Sequence, residues 1–499
     1  MVGIRVTYTG LIAFVIRLTS IATGLVFTLI VTRQLTEQDL GSWSMIGALI
    51  SYVILVEPTI SYWVTREIAR GTESGRTALM SSGIFIIGSI FVYIIIAYLV
   101  GEQSDADVEI LLFGVMLVPL VFIERIMRGI NAGWKPHVNS YGFLGFEIAK
   151  IPVALILIYF LNFGLKGAII ATVIGYIVSI IVLSVYVRKK ISNPFNTKFL
   201  KKWLKLSWLP LYRAIPGNIF LLDIVIFSVI SGSVVGVAYI TVARAITNLV
   251  THTFIISRAV YPKLLEGGKQ EYFQENLMRV LYFAIPFFAM SITFARPALF
   301  ALNPIYEIVV PVVLILSPRA FLTTLNKTFF SALQGIEKVD VKESATFKEY
   351  VKSRLFLIPT IQIIQYATYA IFLFVGLSLI IGADKTQLDL VIYWAIIGVG
   401  TEIPFFIYYF ILVRKSFTLN LDKLSLLKYS LVSIMMFSFA YFLMDEFLEY
   451  DESIFLFLPN LLIFVVLAFG GYIIITFLID NRTKILVKAI VKELKIRTE

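Results

Sequence analysis

The chain has no cysteine among its 499 residues, which excludes disulfides and thiolate-ligated metal. It also lacks a phosphate-cradling glycine loop, a cluster of metal ligands and a nucleophile triad, so no enzyme, resident metal or cofactor is expected. Charge is scarce: 15% of residues are Asp, Glu, Lys or Arg, 59% are hydrophobic, and mean hydropathy is +0.89. A chain this apolar holds no large water-soluble domain. Long polar stretches are missing too, the longest interior ones being 188–207 and 334–354.

In their place is a series of apolar runs of about 20 residues, each able to cross a hydrocarbon core of roughly 30 Å. Fourteen are legible, at 10–32, 41–63, 79–100, 109–129, 140–161, 164–187, 208–231, 234–257, 278–300, 306–330, 355–381, 388–412, 427–446 and 454–479. Backbone groups in lipid must bond within their own segment or a closed barrel, so runs of this length are expected to be helices. The fold class that follows is an all-α polytopic membrane protein with 14 transmembrane helices.

Basic residues orient those helices, because short cytoplasmic connections collect Lys and Arg. With the amino terminus inside, inner connections hold 33 of the 43 basic residues, and the outer ones hold Arg33, Lys166, Arg296 and Lys385. Both termini are therefore expected in the cytoplasm, with the chain multi-pass in the cell membrane. The net charge of +11 is then mostly a topology signal, and nucleic acid is not an expected partner, since the charge is scattered and not gathered on one face. The opening Met1 to Arg5 lacks a small-residue cleavage site and reads as a retained signal anchor.

Faint self-similarity suggests a duplication. Leu40 to Leu49 aligns with Val235 to Arg244, which carries Arg17 to within one residue of Arg213, and Arg125 to Lys135 aligns with Lys327 to Glu337. Two six-helix lobes related by a pseudo-two-fold axis along the membrane normal are expected, followed by two appended helices. In residue numbers the N-lobe is 1–190, the C-lobe 208–412, helices 13 and 14 occupy 413–480, and a cytoplasmic tail runs 481–499. Residues 191–207 form the linker, where Phe195, Phe199, Trp203 and Leu206 interleave with Lys198, Lys201, Lys202 and Lys205. That spacing predicts an amphipathic helix in the headgroup layer near membrane lipids, either a plain elbow or a lipid sensor.

Six basic side chains fall inside the spans: Arg17, Lys150, Arg213, Arg244, Arg319 and Lys327. An ionised group at that depth costs roughly 2.5–3.5 kcal/mol on insertion scales, so each needs a wet cavity or a partner. Comparable acids are Glu57, Glu147, Asp223 and Glu402, leaving a positive surplus that suits an anionic cargo. Arg17, Ser20, Gly24 and Thr28 share one helical face of the first span, and Thr241, Arg244, Asn248 and Thr251 share one face of the eighth. These polar stripes are expected to line a hydrated pathway, with Arg17, Arg244, Arg319 and Arg213 as the cationic binding set, because guanidinium forks suit phosphate oxygens. Each residue also has a structural alternative: Arg244 and Arg319 as members of buried interhelical pairs, Arg213 and Lys327 as snorkelling side chains, Glu147 and Lys150 as a mutual pair. Asp223, Glu57 and Glu402 are candidates for H⁺ or Na⁺ coupling or counter-charges to the arginines. The pair Asp105 and Asp107 suits either a glycosyltransferase or simply an acidic loop.

Val31 to Trp43, containing Arg33-Gln-Leu35 and Gly41, resembles the R-x-L-x-x-x-x-x-G signature of polysaccharide and oligosaccharide flippases of the multidrug/oligosaccharidyl-lipid/polysaccharide exporter superfamily. Asp223 with Gly236 to Tyr239 and Ala243, Tyr261-Pro262, and Ser331 to Lys338 are similar to further stretches of that family. The resemblance implies two six-helix lobes around a central cavity and transport of polyprenyl-phosphate-linked oligosaccharide from the cytoplasmic to the outer leaflet, for cell-surface glycan synthesis. Related lipid II flippases place arginines in helices 1 and 8, which Arg17 and Arg244 match, and carry two extra helices. Alternating access with a lipid-linked oligosaccharide as cargo is the expected function. The rivals are a cation-coupled multidrug exporter of the same superfamily and an integral-membrane glycosyltransferase or polymerase.

Overall fold

The computed structural model describes residues 23–24, 26–259, 264, 270–337, 339, 347–381 and 385–495. The fold is all-α, with no strand among those residues, and thirteen of its helical stretches are long and apolar enough to cross a membrane. The remaining expected span, 10–32, lies largely outside the described residues, although 26–34 are helical.

The chain divides into two compact units, Met1–Tyr239 with Ala370–Leu390, and Ile240–Tyr369 with Val391–Glu499. In the first unit the order is α1 (Glu37–Val53), α2 (Pro58–Ala69), α3 (Gly75–Glu102), α4 (Val108–Phe113), α5 (Leu117–Ala132), α6 (Val138–Ala154), α7 (Gly164–Val187), α8 (Thr197–Lys205) and α9 (Trp208–Ser231). Helix α10 (Val235–His252) begins there. The second unit holds most of α10, then α11 (Gln270–Thr293), α12 (Ala295–Leu302), α13 (Val310–Gly335), α14 (Phe347–Val351), α17 (Lys423–Phe447), α18 (Ile454–Ile479) and α19 (Asn481–Lys495). Helices α15 (Arg354–Ile380) and α16 (Gln387–Ser416) contribute to both.

Two differences from the expected spans have local causes. The run 41–63 is one apolar segment in sequence, yet the helix breaks at Glu57, after a 3₁₀ turn over Ile54–Val56, and restarts with Pro58 at the first position of α2. Proline lacks the N–H that a continuous helix would need there. The ninth span is expected at 278–300 but α11 covers Gln270–Thr293, with α12 a separate short helix. Its polar first turns are helical because Asn276 is buried and bonded: it accepts from Ser257 Oγ at 3.0 Å and donates to the Ile256 carbonyl at 3.0 Å.

The family-like stretch around Arg33 and Gly41 is a helix restart. Thr36 caps α1 by accepting from the Asp39 N–H at 3.1 Å. Gly41 then meets the turn between α9 and α10, where a Cβ would collide with the Val234 carbonyl. That turn needs Gly232 at φ +64° and is held by Asp105, whose carboxylate accepts from Ser233 Oγ at 2.8 Å and from the Val234 N–H at 2.6 Å. Asp107 caps α4 through the Glu109 N–H at 2.8 Å. Both acids of the Asp105–Asp107 pair are thus occupied in building loops.

The elbow helix α8 has the predicted amphipathic pattern. Trp203 is fully buried, Lys198, Lys201, Lys202 and Lys205 are exposed, and Lys202 reaches Glu67 of α2 at 2.7 Å. In the second unit, α17 and α18 pack on each other and on α11 through Tyr282, Tyr429 and Tyr472, the Tyr472 hydroxyl donating to the Tyr282 carbonyl at 2.8 Å.

Candidate functional site

In the second unit α10 has two unlike faces. Val242, Ala243, Ile246, Thr247 and Val250 are buried, whereas Thr241, Arg244 and Thr251 are half-buried and Asn248 is exposed. The polar stripe expected from sequence is the less buried face of α10, and Thr251 Oγ1 donates to the Asn248 carbonyl at 2.9 Å.

Behind that face the structure links three of the intramembrane charges through two aromatic rings. The Arg244 guanidinium lies 5.3 Å from the ring centroid of Trp394 on α16. Trp394, fully buried, donates its indole N–H to the Tyr369 hydroxyl at 2.6 Å. Arg319 of α13 sits over the Tyr369 ring at 4.6 Å and lies 3.9 Å from the Glu402 carboxylate. Asn326, one turn and three residues further along α13, donates to Glu402 Oε1 at 2.8 Å. Gly398 makes the approach possible, because a Cβ there would stand 2.5 Å from an Arg319 terminal nitrogen.

This arrangement separates two arginines that look alike in sequence. Arg319 is 7% exposed and opposite a carboxylate, so it occupies the buried interhelical pair that the sequence held open as its alternative role, and Glu402 is its counter-charge. Arg244 is half-buried on the less buried face of α10 and lies over an aromatic ring that stabilises its charge.

The other expected residues lie as follows. Arg17 and Ser20 are outside the described residues. Gly24 faces open space, and Thr28 donates to the Gly24 carbonyl at 2.9 Å. In the first unit Arg213 is exposed on α9, and Asp223 is fully buried on the same helix, near Tyr52 of α1. Glu57, 3% exposed, stands at the α1–α2 break near Arg125. Glu147 and Lys150 form the structural pair anticipated, 3.0 Å apart, with the ammonium over the rings of Phe27 and Phe146 at 4.3 and 4.5 Å.

Sequence reasoning missed Trp394 and Tyr369. They are two of many aromatic residues in apolar helices and no spacing rule singles them out. The one available signal was Gly398, four residues after Trp394 and four before Glu402, the close-approach position of α16.

No protein-family model and no curated protein matches the sequence. The fold, however, is similar to solved structures. One is a multidrug resistance MATE family transporter of the MOP superfamily in an inward-facing conformation, with a TM-score of 0.58 and 16% identity, covering 80% of this chain and 98% of that one. Another is the lipid II flippase MurJ in an inward closed conformation, with a TM-score of 0.61 and 14% identity, covering 93% of this chain and 99% of that one. A MATE crystal structure in the straight conformation gives a TM-score of 0.50 and 17% identity over 82% and 95%. The chain shares their membrane fold.

Proposed function

We propose that the protein is a flippase that moves a polyprenyl-phosphate-linked oligosaccharide from the cytoplasmic to the outer leaflet by alternating access. The observation that carries this reading is Arg244 on the less buried polar face of α10, charge-stabilised by Trp394 and set among Thr241, Asn248 and Thr251. A diphosphate would cross hydrocarbon on such donors at far lower desolvation cost than unaided. Arg17 is its proposed counterpart on the first span. Arg213, exposed on α9, is proposed as a further headgroup contact, while Arg319 holds α13 to α16. Asp223 and Glu57, both buried in the first unit, are proposed for H⁺ or Na⁺ coupling, while Glu402 serves as the counter-charge of Arg319.

The likenesses to a lipid II flippase and to MATE transporters support a transporter of either kind equally. The likeness to MATE structures favours a second reading, a cation-coupled multidrug exporter, against which the excess of intramembrane arginine weighs. The two separate in proteoliposomes. A flippase moves a fluorescent headgroup on a polyprenyl diphosphate to the far leaflet and leaves a cationic dye in place. Dye extrusion without headgroup movement would hand the protein to the exporter reading.

A further inference from the structure

The stretch expected as a plain tail is helical: α19 (Asn481–Lys495) is separated from the last span, α18, by Asp480 alone. At Asp480 the backbone is extended, with φ −122° and ψ 121°, so α19 does not prolong the α18 axis. A straight continuation would carry Leu486 roughly 20 Å along that axis beyond Tyr472. Leu486 instead packs against the buried cluster of Met278, Tyr282, Tyr429, Val432 and Tyr472, drawn from α11, α17 and α18. Thr483, three residues earlier on the same face, is buried. Arg482 binds Asp422, the cap of α17, at 3.0 Å. The helix is thus laid against the end of the bundle.

Its other face is exposed. Ile485 is 70% exposed, and Arg482 and Lys488, three residues to either side of it, are exposed as well. The sequence of the helix carries five basic residues, Arg482, Lys484, Lys488, Lys492 and Lys495, against the single acid Glu493. The lysines at 484, 488 and 492 recur at every fourth position, which keeps them on one side of the helix. Immediately before it, Leu478 and Ile479 of the span are 63% and 46% exposed, apolar surface that hydrocarbon covers and water does not. A cationic helix that starts where the apolar surface of a span stops, and folds back on that span, sits at headgroup depth.

A soluble anion would suit the lysines and leave Ile485 in water. A second copy of this chain would bring like charge against like charge. Anionic phospholipid offers phosphate to the lysines and acyl carbon to the isoleucine at the depth where both stand. We infer that α19 lies in the headgroup layer at the end of α18 and binds anionic phospholipid, its lysines at the phosphates and Ile485 among the first acyl carbons. This contact ties α11, α17 and α18 to one leaflet through the Leu486 packing. It involves no residue of the α10 face and stands whether or not Arg244 carries cargo.

The absence of native cysteine makes a single spin label clean. The full-length Ile485→Cys protein, labelled with a nitroxide, is reconstituted in bilayers of phosphatidylcholine alone or mixed with phosphatidylglycerol, with labelled Leu478→Cys as the hydrocarbon reference. Collision with oxygen reports acyl surroundings, and collision with a water-soluble nickel chelate reports solvent. With phosphatidylglycerol the label at 485 should favour oxygen, as the reference does, and without it should shift towards the chelate. Lys484→Gln with Lys488→Gln, both on the outer face, should move the label about 30-fold towards water, at about fivefold per charge near an anionic surface. A label open to the chelate in both bilayers overturns the proposal. So does oxygen preference that is indifferent to phosphatidylglycerol or to the two lysine substitutions, and so does spin–spin broadening between labels, which would show a second copy covering Ile485.

Discussion

At the scale of single residues, the informative contrast is between Arg244 and Arg319. Both are arginines in the middle of apolar spans, and sequence offers each the same two roles. Burial and a carboxylate at 3.9 Å decide for Arg319; for Arg244 the half-buried position beside Trp394 supports the proposed cargo role. A buried pair is costly to break from one side, by roughly 3–5 kcal/mol, yet often dispensable when both partners are replaced by apolar groups. Glu402→Leu alone should therefore lower the thermal stability of the purified protein sharply, and the double replacement Arg319→Met with Glu402→Leu should recover most of the loss. A double variant no more stable than the single one would show that the two side chains do not act as a pair. Trp394 gives a second residue-level expectation. Trp394→Leu removes a cation–π contact worth about 0.5–2 kcal/mol, so headgroup transport should fall roughly 2- to 30-fold, with Trp394→Phe retaining part of the rate.

At the scale of elements, the spans were legible where a polar or conformational stop marks each end. Residues 208–231 end at Gly232, whose left-handed φ no continuing helix adopts, and 454–479 run between Ser453 and Asp480; both match expectation residue for residue. Hydropathy fails where polar residues are satisfied by packing, as with Asn276 in α11, and where a single proline interrupts an apolar run, as at Pro58. The Arg33 to Gly41 resemblance acquires a mechanism here. Gly41→Val should push α1 off the α9–α10 turn and destabilise the protein by about 1–3 kcal/mol, measured by thermal unfolding in detergent; an unchanged midpoint would contradict the close approach.

The appended helices are tied by a polar staple at their ends. Asp480, 2% exposed, accepts from Ser425 Oγ at 2.7 Å, Tyr429 Oη at 3.0 Å and the Thr483 N–H at 2.9 Å. Burial acts to raise its pKa, but the bonds from Ser425, Thr483 and Tyr429 prevail and hold the carboxyl below its ordinary range. A depressed folded-state pKa stabilises above the unfolded value of about 3.9 and ceases to do so as pH falls through the folded value. The packing of α17 and α18 should thus be insensitive to acidification from pH 7 to pH 5 and loosen only below about pH 4. Hydrogen exchange over 423–480 reads this directly, and loosening near pH 6 would refute the staple.

At the scale of the whole molecule, composition and basic-residue asymmetry were enough to give an all-α polytopic protein, and the solved structures it is similar to have that architecture. What sequence withheld was pairing. Arg66, Arg125 and Arg128 were legible only as charges that orient the chain, because their convergence beside one open groove depends on α2 meeting α5 at Gly129 and Gly133. Trp394 and Tyr369 were invisible for the same reason. Non-local packing assembles a site that no local pattern announces.

The central claim is that the less buried face of α10 holds a negatively charged cargo through Arg244. Its most direct test is the initial rate of headgroup transfer in proteoliposomes containing a fluorescent polyprenyl diphosphate oligosaccharide, comparing the parent protein with Arg244→Ala and Arg244→Lys at equal incorporation. Loss of a charge-assisted contact worth about 1.5–3 kcal/mol should slow Arg244→Ala at least roughly tenfold, with Arg244→Lys in between. Equal rates for all three proteins would contradict the claim.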